Sequence, residues 1–448
     1  MRTGGRLAKM PHEAQHSSSF ADAHAKDPTS IGSPHTDIVS ATPANPEELA
    51  MLTPLAEFGG TDLPLVQRKI SHYLATLFGA LFLLILALTS AVNWLGESVG
   101  ATTSLINLAN AQARDRSAIV LPFDLRYWAD LKLPRVAIDK PDVIFISSSR
   151  GGEMRSQMLA PYKFYNLSFT AWTLDQVTDI FDRATREFTP KVAIVSLDYF
   201  MFTDVWPKVN AKNTMRFADP FYKFRSGLDM MQTAARRAAF LQDCIIPIFQ
   251  SGHRCRAAEG RFLGTAAIVN QEGFRGDGSY RYGAGRLQDS EKNTTADFLV
   301  NAMPGAPSID GNQILVLERL AALARKRGIT LVGIQLPFVK AGVDYLDNNE
   351  LYHPYAGVWR EFESSAVRDK FRQLGITFFD LSRAPLNQDS NNFIDAYHPS
   401  EIGMLRSLRN LLVDPQFREI FPAIDPETIS KKINEAELNK ERFYVYGG

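Results

Sequence analysis

An uninterrupted apolar stretch, YLATLFGALFLLILALTSAVNW at positions 73–94, constrains this chain more than any other feature. Its 22 residues include no charged side chain, and about 20 apolar residues in a helix are enough to cross the hydrocarbon core of a bilayer. A buried core helix seldom needs so long an uncharged run, and the apolar part of a signal peptide is typically shorter. The stretch therefore predicts a transmembrane helix over 73–94.

The charges that flank this stretch predict its orientation. Arg68 and Lys69 precede it and Glu97 follows it, while the next basic residue is Arg114. Lys and Arg are enriched on the cytoplasmic side of membrane spans. We therefore expect residues 1–67 to lie in the cytoplasm and the chain beyond the span to lie outside it.

Residues 1–67 have the composition of a disordered cytoplasmic tail. Prolines recur, three serines follow one another at 17–19, and no helical or strand period is sustained. Little apolar surface is therefore available to offset the entropy of ordering. Four of the eight histidines lie here, but their spacing is irregular and no cysteine is near them, which favours a plain tail over a metal site.

The charge and cysteine content exclude two further classes of protein. Lys and Arg number 49 and Asp and Glu also number 49, so no net charge attracts the chain to nucleic acid. The only cysteines, Cys244 and Cys255, are too few for a zinc ribbon or a disulfide scaffold. Both follow the span, where an oxidising compartment permits either a disulfide between them or two unpaired buried thiols.

From residue 141 onward, short apolar runs alternate with amphipathic helical stretches. The runs are each too short for a helix and rich in β-branched or aromatic residues, and they lie at 142–149, 163–169, 191–200, 329–337 and 376–382. Helical periodicity covers 174–188, 314–328 and 359–375, the last two ending at Gly328 and Gly375. This alternation predicts an α/β domain over 141–415, with a mainly parallel sheet covered on both faces. In such sheets, ligands bind beyond the carboxyl ends of the strands.

An insertion within the α/β pattern and the segments before and after it need separate interpretations. Residues 204–312 are far longer than an ordinary connection, which predicts an inserted subdomain. Within it, 219–242 has a helical period, and the glycine-rich 273–285 is expected to be a loop, or a rim where Tyr and Arg contact a sugar chain. We expect residues 97–140 to be a linker leading into the domain, and residues 416–448 to be a helical extension with a solvated face.

Two segments far apart in the sequence have the residue types of nucleophilic catalysis. The first strand leads into a turn of small residues that contains Ser149, where a hydroxyl can be exposed beside backbone N–H groups. Much later, FIDAYHPS places Asp395 three residues before His398 in a loop. A carboxylate at this spacing can accept from Nδ1 of the imidazole and leave Nε2 to act as a base. The pattern predicts a catalytic triad, although a serine in a tight turn and a histidine beside a helix also have purely structural uses.

These segments and their order resemble the SGNH (GDSL-type) hydrolase superfamily, particularly its membrane-anchored members that act with membrane-bound O-acyltransferases on cell-envelope polysaccharides. VIFISSSR matches the first block of the family, YNLSFTAWTLDQ the second and DAYH the last. The resemblance implies a flavodoxin-like parallel sheet, Ser149 as the nucleophile, and Asp395 and His398 as its partners. It also implies that Ala171 lies near the position of the oxyanion-hole glycine.

The same resemblance implies a function and a location. The chain would transfer or remove O-acyl groups of an envelope polysaccharide, anchored by one helix in a bacterial inner membrane with its main domain periplasmic. A multispanning membrane O-acyltransferase is the expected partner, and neither a metal nor an organic cofactor is required. Asn166, on the second strand, is a candidate oxyanion or substrate contact. Arg150, next to the nucleophile, would bind an anionic group or form a surface ion pair.

This sequence departs from the family pattern at two places. The Gly-Asp of the first block is replaced by Ser147 and Ser148, and the third strand ends in Leu197-Asp198-Tyr199, so the G-x-N-D block is absent. One oxyanion donor is worth about 2.7–4 kcal/mol of transition-state stabilisation. The missing Asn therefore leaves a second hypothesis, a catalytically silent domain that binds glycan or organises a membrane acyltransferase.

Overall fold

The computed structural model describes residues 63–447, apart from 214, 248–260, 289, 297–298, 300–301, 304 and 349–355. The expected disordered tail lies outside the described residues, except for its last few positions. The chain divides into two units, Met1–Thr76 and Leu77–Gly448.

One long helix, α1 (Leu63–Val99), covers the apolar stretch of the sequence. It is long and apolar enough to cross a membrane, and none of its most apolar window is buried inside the structure. An exposed apolar helix near the N-terminus is consistent with a single membrane span or a signal sequence. The helix is longer than the predicted 73–94 because polar residues at both of its ends continue the same helical backbone.

Short strands and many helices make up the rest of the described chain. The strands are β1 (Ile119–Val120), β2 (Val143–Ile146), β3 (Phe164–Leu167), β4 (Val192–Ser196), β5 (Phe262–Leu263), β6 (Gly273–Phe274), β7 (Tyr280–Arg281), β8 (Thr330–Gln335) and β9 (Ile376–Asp380). The helices are α2 (Leu105–Arg114), α3 (Trp128–Asp139), α4 (Leu174–Ala184), α5 (Val205–Val209), α6 (Tyr222–Arg236), α7 (Ala238–Phe240), α8 (Thr265–Asn270), α9 (Ala284–Leu287), α10 (Gly311–Arg327), α11 (Lys340–Asn348), α12 (Gly357–Phe362), α13 (Ser365–Gln373), α14 (Glu401–Leu411), α15 (Pro415–Ile420) and α16 (Pro426–Leu438).

A five-stranded sheet in the order β3-β2-β4-β8-β9 forms the centre of the domain, and all of its strand pairs are parallel. The predicted α/β domain with a parallel sheet is confirmed, and each of the five predicted apolar runs contains one of these strands. The order reverses at β2, because the chain leaves β2 for β3 on one side and then crosses to β4 on the other. The carboxyl ends of β2 and β4 therefore flank a topological switch point, where ligands bind in open α/β sheets.

Hydrophobic side chains on both faces of this sheet explain why its strands are apolar throughout. Successive strand residues point to opposite faces. Thus Ile144 and Ile146 of β2 lie in the core covered by α4 and α10. Val143 and Phe145 lie in the core covered by α14 and α16. Burial on both faces removes the polar alternation of a half-exposed strand.

A second, smaller sheet has the order β5-β1-β6-β7 and was not predicted. It joins β1, from the expected linker 97–140, to three strands of the expected insertion, with β5 parallel and β6 antiparallel to β1. The glycine-rich segment 273–285, expected to be a loop or a sugar-binding rim, forms β6 and β7, and its Arg275, Tyr280 and Tyr282 are buried. Each of these strands is only two residues long, so no period-2 pattern could indicate them.

The predicted helices differ from the observed ones mainly at their ends. The predicted helix 359–375 is two helices, α12 and α13, because Ser364 caps α13 by accepting from the N–H of Val367. Gly328 ends α10 in the left-handed conformation that the sequence indicated, with φ of 68°. In the C-terminal extension, α16 buries Ile429, Ile433 and Ala436 in the same core as Val143 and Phe145, and its other residues include exposed ones.

A close contact in α14 gives a stability prediction. A Cβ added at Gly403 would lie 2.0 Å from the carbonyl oxygen of Asn392, which belongs to the backbone and cannot move aside freely. We expect Gly403→Ala to lower the free energy of unfolding by about 1–3 kcal/mol. Gly311→Ala, whose Cβ would have no neighbour within 4 Å, should change it by less than about 0.5 kcal/mol. Urea unfolding of the detergent-solubilised chain measures both, and equal effects would contradict the prediction.

Candidate active site

The turn after β2 presents the serine that the sequence singled out. A short 3₁₀ turn, Ser149–Gly151, is separated from the end of the strand by two residues, and the Ser148 side chain accepts from the N–H of Arg150. A Cβ at Gly151 would lie 2.5 Å from the Phe145 ring, so only glycine allows this turn to pack on its own strand. Ser149 remains partly exposed while its neighbours Ser148 and Arg150 are buried. Its hydroxyl therefore lies at the accessible edge of the sheet.

The imidazole and the carboxylate come from a small closed loop, 393–399. The loop is held by a bridge between Phe393 and Pro399 and by the N–H of Ile394, which donates to the carbonyl oxygen of His398 at 2.8 Å. Asp395 Oδ1 accepts from the backbone N–H groups of Tyr397 (3.1 Å) and His398 (2.9 Å). The backbone of the loop thus fixes the orientation of the Asp395 carboxylate independently of its contact with the imidazole ring.

The two segments meet in a linear arrangement of three side chains. His398 Nδ1 lies 2.7 Å from Asp395 Oδ2, and His398 Nε2 lies 2.7 Å from Ser149 Oγ. Both distances are within hydrogen-bonding range for a nucleophile, a base and an orienting acid. Ser149 and His398 are separated by 249 positions in the sequence, so only the fold brings them together.

The electrostatics of the carboxylate suit this arrangement. Burial would raise the pKa of Asp395, but its interaction and hydrogen bond with His398, together with the backbone N–H of Tyr397, outweigh burial and lower it. Asp395 is therefore ionised at neutral pH, which favours a proton on Nδ1 of His398 and leaves Nε2 as an acceptor toward Ser149.

Arg150, expected to bind an anion or to pair on the surface, is instead 1% exposed and bonded within the protein. Its Nη1 pairs with the buried carboxylate of Asp198, at the end of β4. Its Nη2 donates to the carbonyl oxygens of Leu336 (3.0 Å) and Pro337 (2.7 Å), and its Nε donates to that of Tyr397 (2.8 Å). The guanidinium also lies over the Phe338 ring, 3.9 Å from its centroid. These contacts hold the segment after β2 against the loops that follow β4 and β8, and they leave none of the three guanidinium nitrogens directed at a ligand.

Asn166, the other polar candidate, is also turned into the protein. Its Nδ2 donates to the carbonyl oxygens of Gly151 (2.8 Å) and Met154 (2.9 Å), while its Oδ1 accepts from the N–H of Ser168 (2.7 Å). Asn166 therefore fastens the turn that contains Ser149 to β3. The side chain of Ala171 is fully buried in the hydrophobic core, and the role of its backbone N–H as an oxyanion donor stays a prediction.

A buried lysine next to Asn166 was missed at the sequence level. Lys132, on α3, donates to the carbonyl oxygens of Asn166 (3.1 Å), Ser168 (2.6 Å) and Gly278 (2.8 Å), and burial lowers its pKa well below the ordinary value. A lone Lys in an amphipathic helix ordinarily predicts an exposed position, so the sequence held no signal for this contact.

A group of buried charges between the segment after the Ser149 turn and the start of α14 was also missed. Arg155 Nη1 donates to Glu401 Oε1 at 3.0 Å, which links the segment after the Ser149 turn to the first residue of α14. Arg275 Nη1 lies 3.5 Å from Glu153 Oε2, and Arg155 Nε lies 3.5 Å from Asp277 Oδ2. Burial raises the pKa of Glu153 to about 8, with Arg275 opposing the rise. Burial likewise raises the pKa of Glu401, against the opposing effect of Arg155.

The cysteine and metal predictions fall partly outside the described residues. Cys244 is buried, whereas Cys255 lies outside the described residues, so a disulfide between them stays a prediction. Within the part of the chain that the structure describes, no group of three or more His, Cys, Asp or Glu side chains is placed to hold a metal ion.

No family model matches the chain, and no curated protein is significantly similar to it in sequence.

The Arg150–Asp198 pair gives a double-mutant prediction. Arg150→Met leaves Asp198 buried without its cation, and we expect the free energy of unfolding to fall by about 3–5 kcal/mol. Adding Asp198→Leu to this variant removes the uncompensated charge and should restore part of the loss. Urea unfolding of the single and double variants measures the recovery, and two additive losses would contradict the assigned coupling.

The raised pKa of Glu153 gives a pH prediction. In the folded chain this carboxyl keeps its proton up to about pH 8, whereas in the unfolded chain it loses it near pH 4.3. Stability is therefore lost progressively as pH rises between these values, because the unfolded state releases the proton first. Glu153→Gln should leave the midpoint temperature of thermal unfolding almost unchanged at pH 4, and it should raise this temperature at pH 8.

Thermal unfolding across this pH range tests the assignment. Glu427→Gln, on the exposed first turn of α16, is the matched control and should follow the parent curve. A Glu153→Gln curve parallel to that of the parent would show that Glu153 does not bind the extra proton.

Proposed function

We propose that the chain is a membrane-anchored SGNH-like acyltransferase or esterase that acts on O-acyl groups of a cell-envelope polysaccharide. The observation that carries the proposal is the contact of Ser149 Oγ with His398 Nε2, with Asp395 on the other side of the ring, each at 2.7 Å. The contact lies at the carboxyl edge of a parallel sheet, beside the switch point of the strand order.

Several features support a flavodoxin-like SGNH architecture. The strand order β3-β2-β4-β8-β9 has the 2-1-3-4-5 pattern of flavodoxin-like sheets. The nucleophile follows the first strand of this sheet, and the base precedes α14, one of the helices that cover the sheet. Exposed α1 supports attachment to a membrane, with the domain on the extracytoplasmic side that the flanking charges indicate.

The triad geometry supports a two-step acyl transfer. Ser149 Oγ attacks the acyl carbonyl carbon while its proton moves to His398 Nε2, and Asp395 stabilises the imidazolium that forms. The tetrahedral intermediate collapses when His398 returns the proton to the departing sugar oxygen, which leaves the acyl group on Ser149. A hydroxyl of a second glycan, or water, then attacks the acyl-serine with His398 again taking its proton. The bond between the acyl carbon and Ser149 Oγ breaks as His398 returns this proton to Oγ, which releases the product and restores the serine.

The second hypothesis, a catalytically silent domain that binds glycan or organises a membrane O-acyltransferase, is favoured by one observation. Arg150 and Asn166, the candidate polar contacts, are committed to protein carbonyl groups. At the end of β4, where the family has an Asn, Asp198 is paired with Arg150. Stabilisation of an oxyanion then depends on backbone N–H groups alone, near Ser149 and Ala171.

Hydrolysis of p-nitrophenyl acetate by the detergent-solubilised chain separates the two hypotheses. Loss of a triad serine typically costs on the order of 10⁶ in kcat, so Ser149→Ala should reduce the rate to that of the buffer. Ser147→Ala is the matched control, because that hydroxyl is fully buried, without a hydrogen-bond partner in the described part of the chain. It should retain the parent rate.

Labelling with a fluorophosphonate gives an independent readout of the same serine. The parent chain and Ser147→Ala should become labelled at Ser149, and Ser149→Ala should not. Equal esterase rates for the parent and Ser149→Ala, with no labelling of either, would reject the enzyme and leave the silent domain.

A further inference from the structure

Helix α6 exposes a continuous apolar stripe. Phe221, which caps the helix, and Phe224, Leu228 and Met231 are exposed to 62%, 45%, 47% and 44%. Residues three and four positions apart share one face of a helix, so these four side chains form a single stripe along α6. The opposite face is already used, because Tyr222, Ser226 and Met230 are buried against the domain. The stripe is therefore surplus to the packing of the domain.

The position of the stripe is fixed by contacts with the last turns of α1. A Cβ at Gly227 would lie 2.9 Å from Val92 Cγ1, so the backbone of α6 packs directly against the Val92 side chain of α1. One turn earlier on α6, Lys223 Nζ lies 2.8 Å from Glu97 Oε1. Gly227 lies three residues after Phe224 and four before Met231, so the contact with α1 lies at the edge of the stripe.

These contacts set the depth of α6 when α1 spans a bilayer. Val92 is near the carboxyl end of the uncharged stretch 73–94, and Trp94, an exposed residue of the type found at membrane interfaces, follows it. Glu97 is the first charged residue beyond the stretch. The segment of α6 between Lys223 and Gly227 thus lies at the level where hydrocarbon gives way to headgroups.

The charges of α6 fit such a location. Between Tyr222 and Arg237 the sequence has four basic residues, Lys223, Arg225, Arg236 and Arg237, and one acidic residue, Asp229. An apolar face flanked by Lys and Arg is typical of helices that lie in the plane of the membrane, with the apolar side chains below the headgroups and the cations among them.

We propose that α6 is an interfacial helix whose stripe of Phe221, Phe224, Leu228 and Met231 lies in the outer leaflet of the bilayer that α1 spans. The domain then has two attachments to the lipid, one across the membrane and one along its surface. This second attachment limits rotation of the domain about α1 and fixes which side of it faces the membrane. This proposal requires that α1 spans the membrane, but it does not require that Ser149 is catalytic.

The test places an environment-sensitive fluorophore in the stripe of the full-length chain. Leu228→Cys is labelled with NBD and reconstituted into vesicles of phosphatidylcholine and phosphatidylglycerol, without any other protein. Leu438→Cys is the matched control, since Leu438 lies at the end of α16 and is 85% exposed. Labelling of the parent chain without an added cysteine sets the background.

The proposal expects the Leu228 label to emit at shorter wavelength than the Leu438 label. Its quenching by aqueous iodide should be several-fold weaker, and lipids with a spin label just below the headgroup should quench it. Phe224→Cys, one turn earlier, should behave alike, so the loss of one variant to misfolding leaves the test intact. The same readings from a Ser149→Ala chain would keep this result separate from the fate of the enzyme hypothesis.

Two outcomes would overturn the proposal. Equal iodide quenching at the Leu228 and Leu438 positions in vesicles would mean that the stripe faces water. A Leu228 label that is shielded in native membranes but exposed in pure lipid vesicles would mean that a membrane protein, and not lipid, covers the stripe.

Discussion

The buried ion pair between Arg150 and Asp198 is the interaction on which the geometry of the site depends. A buried pair of charges is stable only when further hydrogen bonds offset the loss of water. Here three carbonyl oxygens, of Leu336, Pro337 and Tyr397, supply those bonds. The pair thereby ties the segments that follow β2, β4 and β8 to the loop 393–399, which carries Asp395 and His398.

Polar groups also hold the site on its other sides. Asn166 fixes the turn after β2 to β3, and Lys132 in turn holds the end of β3 through the carbonyl oxygens of Asn166 and Ser168. The group of Glu153, Arg155, Arg275 and Glu401 joins the same turn to the start of α14 from another. A catalytic constellation requires support of this kind, because a displacement of about 1 Å can cost 10²-fold in rate. The two carboxyls with raised pKa values make part of this support sensitive to pH.

The sequence predicted the architecture of the sheet and the contact of Asp395 with His398, because both depend on strong local signals. The meeting of Ser149 with His398 was predicted from the order of the motifs and their resemblance to a known family. Apolar runs of strand length alternate with helical periods, and Asp395 and His398 are close enough in sequence to share one loop. It did not predict the small sheet, whose two-residue strands have no pattern of their own. Nor did it predict the roles of Arg150, Asn166 and Lys132. These side chains are held by backbone carbonyl groups from distant parts of the chain. Because every residue has such a group, the sequence does not show which residues will supply it.

The long separation of the triad residues, 249 positions, has a consequence for the newly made chain. Synthesis delivers the hydroxyl of Ser149 first, and the imidazole and carboxylate that contact it follow only after the intervening residues have been made. The acyl chemistry proposed here can therefore start only after loop 393–399 has been made and has docked on the sheet.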